Sequence, residues 1–228
     1  MKKHAKLVFL FLLWFSVRQH AQEDPDPLRF QQEIEAFRQW DAKNAVPAHP
    51  VLFIGSSSIR LWKTAEAFPD LPVVNRGFGG AHFSDLLYYL PDILLKYPEP
   101  AAIVLYCGDN DAAAGKSSTR IVDDFRKFLA AAQSHFPKTP VVYIPIKPSP
   151  SRWAIWPVQK EVNERLQALC RENSLLFYAD TVTPMLAAGE PPADELFLDD
   201  RLHLSEKGYA VWQKVVSEML HKILKQHQ

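Results

Sequence analysis

The chain has 228 residues, 47% of them apolar and 23% charged, the balance of an ordinary globular protein and not of a disordered or fibrous one. Lys plus Arg and Asp plus Glu number 26 each, and no block of like charge stands out, so the basic footprint that nucleic-acid binding needs is missing. Cys107 and Cys170 lie far apart in sequence; an oxidising compartment would permit a disulfide between them, but two buried small hydrophobes is the simpler expectation.

The chain opens with Lys2, Lys3 and Lys6, an apolar run from Leu7 to Val17, and Ala21. This reads as an export signal over residues 1–21, which would send the protein to the periplasm or the extracellular medium. The run is too short for a stable membrane anchor, although Gln19 and His20 are not the small residues a signal peptidase prefers. Cleavage after Ala21 would remove four basic residues, Lys2, Lys3, Lys6 and Arg18, leaving 22 basic against 26 acidic side chains and a mildly acidic secreted form. No repeat, low-complexity tract or long linker divides the remainder, so residues 22–228 are expected to form one domain.

Pro27 to Lys43 has helical character, and Pro47 and Pro50 then stiffen the approach to an apolar run, Val51 to Ile54. Further strands are predicted at Val73 to Asn75, Ala102 to Cys107, Val141 to Ile146 and Leu175 to Tyr178. Between them, Phe83 to Tyr97, Thr119 to Phe136 and Val158 to Glu172 carry apolar residues at three- and four-residue spacing, as does Glu206 to Lys225 at the end. Strands alternating with helices predict a parallel sheet covered on both faces, with chemistry in the loops beyond the carboxyl ends of the strands.

Four loops stand out. Gly55-Ser56-Ser57-Ser58-Ile59 follows the first strand and places a hydroxyl at a strand-to-helix turn, though serine here is equally what a helix N-cap presents. After the second strand, Asn75-Arg76-Gly77-Phe78-Gly79-Gly80 allows a tight turn or a bare amide close to a ligand; its spacing is not that of a dinucleotide fingerprint. Gly108-Asp109-Asn110-Asp111 follows the third strand, where Asn110 is either a turn residue or a donor aimed at a developing oxyanion. Near the end, Asp200-Arg201-Leu202-His203 spaces a carboxylate and an imidazole so that Asp200 can hold Nδ1 and leave the other nitrogen free as a base.

In identity and order these pieces resemble the SGNH hydrolases, the GDSL-like lipase/acylhydrolase family, from about Val51 to Tyr209. The resemblance implies an α/β three-layer sandwich with a flavodoxin-like five-stranded parallel sheet and helices on both faces. It implies Ser57 as nucleophile with Asp200 and His203, and an oxyanion hole of the Ser57 and Gly80 N–H groups with the Asn110 side chain. It implies no cofactor, and no Cys/His cluster in the sequence suggests a metal. Two positions depart from the family pattern: Ser56 stands where the family usually has Asp, and Ala81 replaces an Asp often found after the second motif, so how the nucleophile loop is braced is open.

The expected activity is hydrolysis of carboxylic esters through an acyl-enzyme, with short-acyl esters of carbohydrates or small molecules as substrate. Absence of a long apolar insertion after any of these strands argues for an open, shallow cleft. A lysophospholipase or thioesterase is the alternative within the family. A non-catalytic ligand-binding module is the alternative outside it, disfavoured because all four groups are present. A metal-dependent hydrolase on Asp109, Asp111, His82 and His203 lacks a ligand-spacing signature, and no Gly-x-Ser-x-Gly points to the α/β-hydrolase fold. Trp153 and Trp156, following Lys147-Pro148-Ser149-Pro150-Ser151-Arg152, lie on the expected rim and either wall a substrate pocket or pack the loop.

Overall fold

The computed structural model describes residues 23–226, so the export signal expected over 1–21 lies outside the described residues. Five strands form one parallel sheet: β1 (Val51–Gly55), β2 (Val73–Gly77), β3 (Ala102–Tyr106), β4 (Val141–Tyr143) and β5 (Leu176–Tyr178). Their spatial order is β2-β1-β3-β4-β5. The chain therefore steps outward from β1 to one edge and returns to build the other half from β3, and the reversal falls between β1 and β3. A crevice beyond the carboxyl ends of those two strands is where this sheet type binds ligands.

Strand residues alternate between two cores, as the two-residue period of a strand requires. Leu52, Ile54, Ile103 and Leu105 enter one core with Ile34, Phe83, Phe125, Phe128 and Val162, carried by α1 (Gln31–Lys43), α4 (Phe83–Tyr88), α6 (Ser118–His135) and α7 (Trp156–Glu172). Val51, Phe53, Val104 and Tyr106 enter the other with Ile59, Trp62, Met185, Trp212 and Val216, from α2 (Ser57–Arg60), α8 (Val182–Met185), α9 (Glu206–Gln226) and the loop after α2. Burying each such side chain contributes about 1.5–3 kcal/mol before the cost of ordering it. Two further short helices, α3 (Thr64–Ala67) and α5 (Asp109–Ala113), complete the α-helices among the described residues. The protein is an α/β three-layer fold.

Two predicted elements are shorter than expected. The helix over Phe83 to Tyr97 breaks: α4 stops at Tyr88, and a single π turn, Pro91–Leu95, follows. Pro91 has no N–H to give to the carbonyl four residues back, so the ladder cannot pass through it. The strand over Val141 to Ile146 pairs only to Tyr143, because Asn163 of α7 takes over the backbone of Ile146, accepting from its N–H and donating to its carbonyl at 2.8 Å each. Both groups are satisfied without a strand neighbour, and the chain is free to leave the sheet. Cys107 is buried, Cys170 is half-buried, and both are free thiols.

Candidate active site

Three strands end at one level, Gly55 being in register with Gly77 on one side and Tyr106 on the other. Gly55 lies at φ +151°, and a Cβ there would come within 2.0 Å of the Tyr106 carbonyl oxygen. Only glycine fits, and the chain turns at once: the Ser56 N–H donates to that same carbonyl at 3.1 Å, and Ser57 opens α2. The far end of this short helix is held by Asn75, whose Nδ2 donates to the carbonyls of Ile59 (2.7 Å) and Trp62 (3.1 Å) while its Oδ1 accepts from the Gly77 N–H at 2.9 Å. From α9, the Tyr209 hydroxyl donates to the Ser58 carbonyl at 2.8 Å. These contacts are the brace that the Ser56 substitution left open.

Asp200 and His203 sit in a tight loop closed by hydrogen bonds from the Leu198 N–H to the His203 carbonyl and from the Arg201 N–H to the Leu198 carbonyl, both 2.8 Å. Asp200 uses its two oxygens for different ends. Oδ1 accepts from the N–H groups of Leu202 and His203 at 2.9 Å each, and Oδ2 meets His203 Nδ1 at 2.5 Å. A carboxylate only accepts, so Nδ1 carries a proton, and in the neutral ring that leaves the lone pair on Nε2. Nε2 is 2.9 Å from Ser57 Oγ. Desolvation raises the Asp200 carboxyl, but the bonds from the His203 ring and from the two backbone N–H groups outweigh it and hold the group down at about 2.

Gly80, after β2, has φ +75°, and an added Cβ would find nothing within 4 Å. Its conformation, not crowding, calls for glycine. Among the described residues no acceptor meets the Gly80 N–H or the Ser57 N–H. Asn110, in α5, donates through Nδ2 to the Ala81 carbonyl at 3.1 Å, so the Ala81 position, which lacks the family's Asp, contributes through its backbone.

Residues 59–211 match the model of the GDSL-like Lipase/Acylhydrolase family, a stretch that starts just after Ser57 and includes Gly80, Asn110, Asp200 and His203. The chain belongs to the GDSL-like lipase/acylhydrolase family. It is accordingly a hydrolase of the esterase/acylhydrolase kind. It is 25% identical over 199 residues to platelet-activating factor acetylhydrolase IB subunit alpha1 of Pongo abelii, covering 82% of this chain and 81% of that one. Among solved structures, a GDSL-like lipase from Bacteroides thetaiotaomicron superposes with TM-score 0.71 at 20% identity, over 83% of this chain and 97% of that one. A carbohydrate esterase family 3 protein from Talaromyces cellulolyticus superposes with TM-score 0.60 at 15% identity, over 78% and 99%; these two likenesses concern the fold.

In this GDSL-like hydrolase the acidic residues flanking Asn110 are committed to cations. Asp109, buried, accepts from Lys147 Nζ (2.7 Å), Arg152 (2.6 Å), Gln159 (2.9 Å) and the Tyr106 hydroxyl (3.1 Å). Burial pushes its carboxyl up, and Lys147 and Arg152 pull it further down, to about 2. Asp111 is ion-paired with Lys116 at 2.7 Å and accepts from the Phe83 N–H. Burial lowers the pKa of His82, whose Nδ1 stands 3.6 Å from Asp111. Of the set Asp109, Asp111, His82 and His203, only His82 and Asp111 lie together, and among the described residues no group of three or more His, Cys, Asp or Glu side chains is disposed to hold a metal ion.

Trp153 and Trp156 stack on each other, with ring centroids 5.9 Å apart and 15° between planes. Trp156 is buried. A groove of about 420 Å³ is lined by Leu61, Trp62, Leu198, Leu204 and Tyr209 among others. Leu61 and Leu198 are exposed, and each is tied by its N–H to a site residue, Leu61 to the Ser57 carbonyl at 2.9 Å and Leu198 to that of His203 at 2.8 Å. Sequence reasoning assigned no role to Asn75, Leu61, Leu198, Tyr209 or Arg152. Asn75 and Arg152 stood in stretches already singled out, but the partners of Arg152 and Tyr209 are distant in sequence; Leu61 and Leu198 are near their partners, and an exposed leucine carries no signal of its own.

Proposed function

We propose that the protein hydrolyses carboxylic esters with Ser57 as nucleophile and Asp200/His203 as its base, acting on short-acyl, chiefly acetyl, esters of carbohydrates or small molecules outside the cytoplasm. The observation that carries the mechanism is the 2.9 Å contact of His203 Nε2 with Ser57 Oγ while Nδ1 is held by Asp200. As Oγ attacks the carbonyl carbon, Nε2 takes its proton; the bond to the alcohol then breaks and the alcohol leaves with that proton. Water, giving its proton to the same nitrogen, attacks the acyl-Ser57 and releases the acid, restoring the hydroxyl. Charge on the carbonyl oxygen is met by the N–H groups of Ser57 and Gly80 and by Asn110 Nδ2, each such donor being typically worth about 3–4 kcal/mol in the transition state.

The short-acyl reading is supported by the absence of a long apolar insertion after β1, β2 or β3 and by an acetylhydrolase among the curated relatives. A second reading, a lysophospholipase or thioesterase, draws on the groove lined by Leu61 and Leu198. Each buried methylene contributes about 0.8 kcal/mol where the protein supplies a wall. Measuring kcat/KM for p-nitrophenyl esters from acetyl to lauroyl, with Ser57→Ala as control, tests both: the proposal expects acetyl and butyryl esters to be best and Ser57→Ala to lose several orders of magnitude. A steady rise toward lauroyl would establish the second reading. Turnover retained by Ser57→Ala, with a phosphonate labelling Ser56 or Ser58, would remove Ser57 from its role, and absence of turnover on any ester would favour a binding module.

A further inference from the structure

Between β4 and α7 the chain runs through Lys147-Pro148-Ser149-Pro150-Ser151-Arg152, a stretch that the mechanism above does not use. Its course is irregular: a 3-10 segment, Pro150–Ile155, kinks at Arg152, where φ is −114° and ψ 19°. Yet it touches both halves of the site. On one side the Ser151 N–H donates to the carbonyl of Arg201 at 3.2 Å, inside the Asp200–His203 loop. On the other, Arg152 reaches the oxyanion side, giving one guanidinium nitrogen to Asp109 Oδ1 at 2.6 Å and the other to Asn110 Oδ1 at 3.1 Å.

The second contact decides which way the Asn110 amide faces. A guanidinium has only donors, so the atom it meets must be the carbonyl oxygen, and Nδ2 is forced to the opposite side. There one Nδ2 hydrogen goes to the Ala81 carbonyl, and the second is available to a substrate oxygen. With the amide turned over, the group facing that oxygen would be an acceptor, and a stabilising contact would become a repulsive one. Arg152 is itself held in place: its partner Asp109 is also bound by Lys147, and the Asp109 and Lys147 side chains are 3% and 1% exposed, against 20% for Arg152. One carboxylate faces two cations, so the cluster has a surplus positive charge next to Asn110, of the sign that favours a developing oxyanion.

We infer that Arg152 is a positioning residue that sets the orientation of the Asn110 amide, with the Lys147–Arg152 stretch as the strap that joins the oxyanion side of the site to the His203 loop. The inference rests on the proposed role of Asn110 as an oxyanion donor. It is tested with Asn110→Ala, Arg152→Met and the double variant, measuring kcat and KM on p-nitrophenyl acetate and melting temperature for each. Asn110→Ala is expected to lower kcat about 10²- to 10³-fold. Arg152→Met is expected to lower kcat by about 10-fold or more with KM nearly unchanged, and to cost less than about twofold when Asn110 is already Ala, since non-additivity marks residues that act as a unit.

A folded Arg152→Met with wild-type kcat, a loss confined to KM, or losses that multiply in the double variant overturns the inference while leaving the serine mechanism standing. Wild-type kcat in Asn110→Ala removes the oxyanion reading itself. Should Arg152→Met fail to fold, Arg152→Lys carries the same comparison: it keeps a charge against Asp109, but a single ammonium lacks the fork that serves two oxygens at once, so it is expected to fold and still lose kcat, and full activity there overturns the proposal.

Discussion

Asp200 divides its work between the backbone of its own loop and the imidazole it orients, and the two can be separated by substitution. In Asp200→Asn, Oδ1 still accepts from the N–H groups of Leu202 and His203, so the loop should keep its shape and the melting temperature should change little. The amide that replaces Oδ2 donates to Nδ1, which turns the lone pair away from Ser57. Loss of kcat by about 10³- to 10⁴-fold on p-nitrophenyl acetate is therefore expected, with KM little changed. Because Asp200 is held at about 2, it stays ionised through mildly acid conditions. At this scale the meeting of Ser57, Asp200 and His203 was legible, because each lies in a short motif directly after a strand or near the end of the chain; the oxyanion roles of Gly80 and Asn110 are part of the proposal. Arg152 was not, since its contact with Asn110 spans 42 residues, and neither residue's type indicates the other.

Short elements at the strand ends do most of the positioning, and glycine serves two different purposes there. At Gly55 the obstruction is backbone, so Gly55→Ala must push β1 away from β3 or distort α2; a destabilisation of about 3 kcal/mol or more is expected, read as a lowered melting temperature. At Gly80 a methyl would meet nothing. Gly80→Ala should cost only about 1–2 kcal/mol of backbone strain; under the proposed role of the Gly80 N–H as an oxyanion donor, its main effect should fall on kcat/KM. Measuring both quantities for both variants checks the distinction. The strand-helix alternation was visible in sequence because buried parallel strands read as apolar runs. Element ends were less so: Pro91 marked the break after α4 but the surrounding apolar spacing concealed it, and β4 stops early for a reason carried by Asn163, outside the strand itself.

Across the whole molecule, the buried Asp109 cluster links stability to acid. Its carboxyl is held at about 2 in the folded protein against just under 4 in an unfolded chain. A depressed carboxyl contributes stability that is complete above about pH 4 and is lost as pH falls toward about 2; the contribution is on the order of 2 kcal/mol. Denaturant titrations at about pH 5 and about pH 2.5 should differ by this much more in the wild type than in Asp109→Asn, which is destabilised at both because Lys147 and Arg152 lose their counter-charge. Equal slopes in the two proteins would remove Asp109 as the cause.

Ser57 and His203 are 146 residues apart, and the helix that follows His203 packs Trp212 against Trp62, just after the Ser57 turn, and against Tyr106 at the end of β3. Under the proposed mechanism, a chain lacking α9 would lose the packing of Trp212 on Trp62 and Tyr106 that ties the His203 segment to the Ser57 turn. Ester hydrolysis would then depend on α9 as much as on the residues that touch the substrate.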